Sequence, residues 1–450
     1  MPNQKVTWLH LTPFLPKVYI FAPNSSQMIR RIILLSVLCC LGYSVYGSGF
    51  QISLQGQPQI GLAHAGTGIT LNAASLFYNP GAMGMLKGKQ LMLGLHPITG
   101  KARFVQEATG LSGQNEFGIS YPFSAYYTQR LGSAANPSPF TIGIGIYTPF
   151  GSQITYPNDW MGKYLVQSAS LTTVFAQPTI SYNVNDRLGV GLSFVVGWGN
   201  FNIRRAVPIF DEQTFSNANL QAQGMGVGFT TGIYVEPWDN KLAVGVTYKS
   251  SARVKLKNGT ADFTVPATAE PLFPDTNFDL NVGLPDAVSL ATTYFFNGNQ
   301  NHILPDKSNA HFITAEVERV GWIVFKDLNF AYAQPVAGAT GMKLIRNYQN
   351  AYRFSLAGQY AVTPRFTLRA GIYYDLNAAP DCCVTPEVPD GKRVVGTTGA
   401  SFKLLSNLLL DMSFLYGRSL KRSFNNEQNN FQATFKGYVI SPGIGIQYKF

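Results

Sequence analysis

Tyr438-Val-Ile-Ser-Pro-Gly-Ile-Gly-Ile-Gln-Tyr-Lys-Phe450, the last thirteen residues of the chain, is the stretch that decides the fold. Tyr438, Ile440, Ile444, Ile446, Tyr448 and Phe450 share one parity, and Ser441, Gly443, Gly445, Gln447 and Lys449 share the other. A period of two marks a strand with unlike faces. The pattern returns at 365–376, where Phe366, Leu368, Ala370, Ile372 and Tyr374 alternate with Thr367, Arg369, Gly371, Tyr373 and Asp375. On the preceding strand Arg353 and Gln359 take the polar parity, opposite Phe354, Leu356 and Tyr360. An apolar face repeated this often needs a cover, and lipid is the cover that fits. The polar parity then faces a lumen, because a Lys or Arg on the lipid side costs ~2–4 kcal/mol at the bilayer midplane.

Composition agrees with that choice. Charged residues are 13% of the 450, aromatic residues another 13%, and there are 44 glycines. Such low charge does not suit a soluble protein of this length. Past the N-terminal region there is no run of 18 apolar residues, so a helical membrane protein does not fit either. Alternating lipid-facing and lumen-facing positions average instead to a mean hydropathy near zero, here +0.03. The net charge of +11 is unclustered, and no basic stripe interleaves with stacking aromatics, which argues against nucleic acid as a partner.

Strand signals recur at 89–95, 119–130, 140–147, 171–183, 187–203, 224–236, 241–254, 285–296, 311–325, 351–361, 365–376, 393–405, 408–419 and 436–450. That is about fourteen, an even number, as expected of a bacterial barrel with both ends on the periplasmic side. Tight turns at 183–187, 236–240, 362–365 and 405–407 alternate with long polar links at 254–284, 327–350 and 421–435. The two kinds match the periplasmic and extracellular ends of such a barrel. The link 297–310 is longer than a periplasmic turn should be.

Ahead of the strands, residues 48–86 contain no Asp, Glu, Lys or Arg and show no sustained period. An exposed arm would carry charge, and a core helix would show an apolar stripe. A neutral segment rich in small residues belongs packed inside something else, so 48–88 is expected to be a plug (hatch) within the barrel 89–450. Before it, Met28-Ile-Arg-Arg31, the apolar run 32–41 and Val45-Tyr46-Gly47 read as a secretory signal over 28–47, with the mature chain starting at Ser48. Residues 1–27 read as a non-native extension. The fold expected is all-β, a transmembrane antiparallel β-barrel around an N-terminal plug, in a bacterial outer membrane.

Enzyme signatures are missing: there is no Gly-x-Ser-x-Gly, His-Glu-x-x-His or Cys-x-x-Cys. Cys382 and Cys383 are adjacent, expected as free thiols or an exposed strained disulfide, and no set of ligands accompanies them for a metal. No cofactor is expected. A general porin for polar solutes is the rival reading and would have an open, charged lumen, which the neutral plug opposes. A structural or adhesive barrel would bind no apolar ligand.

Ser48-Gly49-Phe50-Gln51 and, at the end of the plug, Asn79-Pro80-Gly81-Ala82 resemble the FadL/TodX family of outer-membrane transporters for long-chain fatty acids and hydrophobic compounds. So do Thr148-Pro-Phe-Gly151, Asp159-Trp-Met-Gly-Lys-Tyr164, Gln177-Pro178 and Tyr182-Asn-Val-Asn-Asp186. Further downstream Leu284-Pro285-Asp286, Trp322-Ile-Val-Phe325, Leu368-Arg-Ala-Gly371, Tyr374-Asp375 and Pro389-Asp390 continue the set, in order, to Phe450. Gly81 stands where the family's usual motif has Ala, a departure expected to keep the turn but loosen it. The resemblance implies a monomer that captures an oily solute between extracellular loops, passes it to a lumen pocket against the plug, and releases it sideways into outer-membrane lipid. Its capture groove is expected at Trp160, Met161, Tyr164 and Leu165. The terminal aromatic strand resembles the signal read by the outer-membrane assembly machinery.

Two further expectations come from the residues. Proline cannot donate to a ladder, and Pro122 and Pro178 flank the third strand, whose lumen positions include Gly143 and Gly145; these four mark the lateral gate. A carboxylate-bearing solute would want an inward cation, for which Lys249, Arg353 and Arg369 have the right parity. Glu316, Glu318, Asp375 and Asp411 also point inward, and lumen charges commonly pair with one another.

Overall fold

The computed structural model describes residues 49–133, 135–209, 215–238, 241–296, 307 and 310–450. The extension 1–27, the signal 28–47 and Ser48 lie outside the described residues. Strand segments assemble into one closed antiparallel ring of fourteen. In chain order these are β1 (89–106), β2 (112–132), β3 (137–155), β4 (Ser168–Asn185), β5 (Leu188–Ala206), β6 (Asn217–Trp238) and β7 (242–264). They continue with β8 (276–295), β9 (312–336), β10 (339–363), β11 (Phe366–Asp375), β12 (Arg393–Lys403), β13 (408–426) and β14 (Phe431–Lys449). The ring closes where β14 returns to β1, from Gln90↔Lys449 to Leu95↔Ile444.

Facing follows the alternation. On β11 Thr367, Arg369, Tyr373 and Asp375 are buried while Leu368 and Ile372 are exposed; on β14 Ser441, Gly445 and Gln447 are buried and Ile444 and Ile446 exposed. The outside is a belt of exposed Leu, Ile, Val, Phe and Tyr, and the inside carries buried Ser, Thr, Asn and Gln. This inverts the distribution of a soluble protein, as lipid demands.

The polar links expected as loops are mostly strand. Ala252–Thr264 pairs with Thr276–Leu284, Asp327–Val336 with Ala339–Ile345, and Arg422–Asn426 with the start of β14. A ladder begun in the membrane offers partners in line to the next backbone groups, so pairing continues above the lipid, where alternation of hydropathy is no longer required. Breaks separate the two levels, at Pro285 in β8, 322–326 in β9 and 346–350 in β10. From the long link between β8 and β9, buried Lys307 forms an ion pair with Glu236, and Gln359 Nε2 donates to the carbonyls of Lys307 (3.2 Å) and Ala310 (2.9 Å).

Residues 54–84 are all buried inside the ring. They form three short helices: α1 (Gln57–Gly61), α2 (Ser75–Tyr78) and α3 (Pro80–Gly84). Asn79 caps α3, its Oδ1 accepting from Gly81 N (2.9 Å) and Ala82 N (3.4 Å), with Pro80 following at the helix start. A neutral segment with this many unpaired carbonyls survives burial because the wall supplies donors. Ser181 Oγ donates to Pro80 O (2.5 Å), Asn183 Nδ2 to Gly84 O (2.7 Å), Thr247 Oγ1 to Tyr78 O (2.9 Å), and Gln57 Nε2 reaches Ile444 O (2.8 Å).

Gly81 does not loosen the turn. A Cβ there would lie 2.6 Å from Gly189 O, 2.8 Å from Gly232 O and 2.9 Å from Tyr234 N. The missing methyl lets α3 press directly onto the backbones of β5 and β6.

Candidate functional site

The extracellular link between β11 and β12 folds inward rather than outward. Ala378, Ala379, Cys383 and Val384 are buried. Asp390 Oδ2 gathers the amides of Ala378 (2.5 Å) and Ala379 (2.8 Å), and Arg422 donates to Ala379 O (2.7 Å), Asp390 O (2.8 Å) and Asp381 (2.6 Å). Burial pushes the Asp390 carboxyl above its ordinary range, against the opposing pull of those amides and of Arg393 and Arg422. Cys382 and Cys383 are joined as a vicinal disulfide with Cys383 buried, so the pair is neither free nor fully exposed.

The infolded link borders three cavities. In the mouth, about 20 Å³ is enclosed by Leu165, Ile203, Arg205, Leu220, Met342 and Glu387, among others. In the lumen, about 50 Å³ lies among Phe50, Leu171, Phe201, Val282, Leu328 and Val388. In the wall, a cavity of about 470 Å³ opens between 115–122 of β2 and 148–155 of β3. Ile203, Arg346 and Glu387 line both of the first two; Phe50, Ser152, Leu171 and Val388 line both the second and the third. At the first junction Arg346 Nη2 donates to Glu387 Oε1 at 2.5 Å. At the second stands Phe50, its ring centroid 4.6 Å from Trp322, 5.3 Å from Phe325 and 6.2 Å from Phe150.

The wall cavity has a local cause. The β2–β3 ladder runs up to Ser124↔Tyr147 and ends. After Thr148-Pro149, residues Gly151–Thr155 pair with β4. Across the seam toward β2, Glu116 N donates to Thr155 O (2.7 Å) and Ser120 Oγ meets Gln153 Oε1 (3.0 Å). Phe117, Ile119 and Tyr121 are exposed beside it.

The expected gate residues divide. Pro122 lines the wall cavity. Pro178 faces Ile144 within the β3–β4 pairing, and the β4–β5 ladder passes it by, from Ala176↔Val196 to Thr179↔Ser193. Gly143 and Gly145 do not border the opening: both are paired on either side, and their lumen faces receive the plug. A Cβ on Gly143 would meet Leu76 Cδ1 at 2.7 Å. The weakness lies one step further along the strand, where Pro149 interrupts it.

Of the expected capture residues, Leu165 lines the mouth cavity and Tyr164 is exposed. Met161 is half-buried. Trp160 is buried, stacked on Tyr156 at 4.0 Å with Nε1 donating to Val166 O (2.6 Å), so it builds the mouth. The three candidate cations line none of these three cavities, and Arg369 borders a separate one of about 50 Å³ against plug residues Pro58, Leu71 and Asn72. Arg353 joins Asp375 (2.8 Å), Glu318 (3.1 Å) and plug Ser53 (2.8 Å); Arg369 donates to Gln359 (2.7 Å) and Ser401 (2.6 Å); Lys249 Nζ sits 3.5 Å over the Phe77 ring. Parity had no means of finding Arg205, Arg346 and Glu387, which lie above the lipid or in the link. Among the described residues no cluster of metal-ligating side chains occurs.

A closed ring that is apolar outside and polar inside, and stoppered by its own N-terminal segment, is a transmembrane β-barrel of the outer-membrane type. The chain belongs to the outer membrane protein transport protein family (OMPP1/FadL/TodX), whose profile matches residues 38–450. It is 23% identical over 440 residues to the 47 kDa outer membrane protein of Pasteurella multocida, covering 93% of this chain and 98% of that one. To the long-chain fatty acid transport protein of Salmonella typhi it is 20% identical over 458 residues, covering 95% and 100%. The crystal structure of a Pseudomonas aeruginosa FadL homologue shares the fold, with a TM-score of 0.74 and 18% identity over 90% of this chain and all of that one. The protein is thus an outer-membrane transport protein.

Proposed function

We propose that this barrel takes up hydrophobic or amphipathic small molecules of the long-chain fatty acid or aromatic hydrocarbon kind, and releases them sideways into the outer membrane. The observation that carries this reading is the run of three cavities joined through shared residues, from the mouth to the β2–β3 seam. An oily solute gains nothing from a water-filled pore, whereas a carbon-lined pocket beside an opening to lipid gives it affinity and a way out. Phe50 stands between the lumen pocket and the seam, so displacement of the plug's N-terminal end is the opening step. The plug body, held by many wall donors, stays seated and keeps ions out. A single ring encloses the whole route, in keeping with a monomer, and the aromatic β14 terminus serves its assembly into the membrane.

The test pairs mass spectrometry of lipids that co-purify with the protein and conductance in a planar bilayer. Bound fatty acid or hydrocarbon with little ionic current is expected. A large steady current with no apolar ligand bound would sink the reading in favour of a porin.

A further inference from the structure

Four cations stand together on the outward face where the ring closes. Tyr438 of β14 pairs with Arg418 of β13 on one side and Lys101 of β1 on the other, and two residues further up Lys436 pairs with Arg103. Arg103, Arg418 and Lys436 are exposed and Lys101 is half-buried, whereas their neighbours of opposite parity, Ala102, Gly417 and Phe435, are buried. Strands lie about 4.8 Å apart and rise about 3.4 Å per residue, so the four positions border a patch of roughly 10 by 7 Å. Tyr438 sits in the middle of its lower row.

The depth of the patch in the membrane follows from β14. Tyr438 and Tyr448 share the outward parity, ten residues apart. On a strand tilted by about 40° that separation spans roughly 26 Å of height, and the apolar band of such a barrel is about 25 Å tall with an aromatic girdle at each edge. The two tyrosines therefore mark the edges of the lipid. Between those levels the outward side chains include Ile444 and Ile446 on β14, Phe414 and Tyr416 on β13 and Leu95 on β1, all exposed. Tyr448 pairs with Leu408, next to the tight turn 405–407, so its end is periplasmic. Tyr438 and the cations around it lie at the level of the extracellular headgroups.

Their charge is not balanced within the patch. Among the described residues none of the four forms an ion pair. Lys101 Nζ donates to Asn115 O (3.1 Å) and Arg103 Nη2 to Ser112 Oγ (3.3 Å), both neutral acceptors. Glu107, above the patch, already accepts from Gln432 (2.6 Å) and Thr434 (3.3 Å), and Glu116 lies toward the seam. Elsewhere on the wall cations do meet carboxylates, Arg319 with Asp286 at 2.7 Å and Lys343 with Asp327 at 3.2 Å. Like charges side by side on neighbouring strands repel one another, and an anion seated among them removes that cost.

We propose that this patch is a docking surface for the phosphate-bearing headgroup of a glycolipid in the outer leaflet. The guanidinium and ammonium groups take the phosphates through charge-assisted hydrogen bonds. The acyl chains lie down the apolar stripe directly below, and that continuity of cations with an apolar stripe fits a lipid better than a free anion. One bound lipid would touch β13, β14 and β1 at once, across the junction where the last strand meets the first. The surface is on the outside of the wall and is independent of how solute is taken up.

Lipid A with both phosphates and lipid A stripped of them make the matched test, because they share sugars and acyl chains. Each is titrated onto the full chain in neutral detergent and the bound fraction read by native mass spectrometry, with barrel integrity checked by resistance to unfolding in SDS before boiling. Wild-type protein is expected to favour the phosphorylated form. A basic residue near an anionic lipid surface strengthens binding about fivefold, so Arg418→Gln/Lys436→Gln should weaken the phosphorylated form about twenty-fivefold and leave the stripped form unchanged. The charge-keeping variant Arg418→Lys/Lys436→Arg should stay within about threefold of the wild type. Arg253→Gln/Lys255→Gln, which removes two exposed cations from β7, should change neither affinity by more than about twofold. Equal binding of the two lipids by the wild type, or equal losses in the β7 and β13–β14 variants, overturns the proposal. So does displacement of the lipid by excess sodium phosphate but not by sodium chloride of equal ionic strength, which would make the site one for free phosphate.

Discussion

Gly81→Ala adds a single methyl group, and the geometry here makes it harmful. The new methyl would sit 2.6, 2.8 and 2.9 Å from three backbone atoms of β5 and β6. Those atoms belong to ladders that cannot yield without breaking wall hydrogen bonds, so α3 must back away, by roughly 0.8 Å to reach an ordinary carbon–oxygen contact. That retreat lengthens the bonds from Ser181 to Pro80 O (2.5 Å), Asn183 to Gly84 O (2.7 Å) and Asn79 Nδ2 to Ile233 O (3.0 Å). Losing two of the three costs about 1–3 kcal/mol. Overpacking adds about 1–3 kcal/mol to that. A total of about 2–6 kcal/mol raises the unseated fraction of the plug by at least roughly thirtyfold. Single-channel recording in a planar bilayer should then show brief ionic openings far more often than in the wild type, while the β-sheet signal is unchanged. Openings as rare as the wild type's, with the same melting temperature, would refute the account of how the plug is seated.

The remaining predictions separate the route from its scaffold. Gly143→Leu should collide with Leu76 and Met83 and produce ionic leak, whereas Gly118→Phe, in the wall cavity with open space around its Cβ, should lower solute uptake with conductance unchanged; the same phenotype for both would remove the distinction between plug face and seam. Arg353→Gln should leave oleate affinity within about twofold but destabilise the protein by about 3–5 kcal/mol, because buried Glu318 loses its ion-pair partner and Asp375 keeps Arg393 but loses Arg353, read as a drop in melting temperature. Trp160→Ala should cost about 3–5 kcal/mol through loss of its stack on Tyr156, while Tyr164→Ala should leave stability unchanged and slow capture, measured as the initial rate of solute uptake by whole cells.

The sequence alone determined everything that lipid dictates. Facing along β11 and β14, the fourteen strands and the neutrality of 48–86 were all legible, because a bilayer imposes its rule residue by residue and every neighbour along a strand reports it. Above the lipid that rule lapses, and so did the reading. Segments 252–264, 276–284 and 327–345 look like polar loops yet continue the wall, since their pairing is inherited from the ladder beneath them. The cations chosen by parity turned out to fasten the wall to itself and to the plug. At the junction of mouth and lumen Arg346 meets Glu387, with Arg205 lining the same cavity, only because a link 41 residues beyond Arg346 folds inward. The prolines that flank the third strand point to a seam beside Gly143 and Gly145, whereas tertiary packing sets those glycines against the plug and lets the ladder end after Tyr147. Which face a residue presents is a local property; what stands opposite it depends on contacts between distant parts of the chain, and only the folded ring decides those.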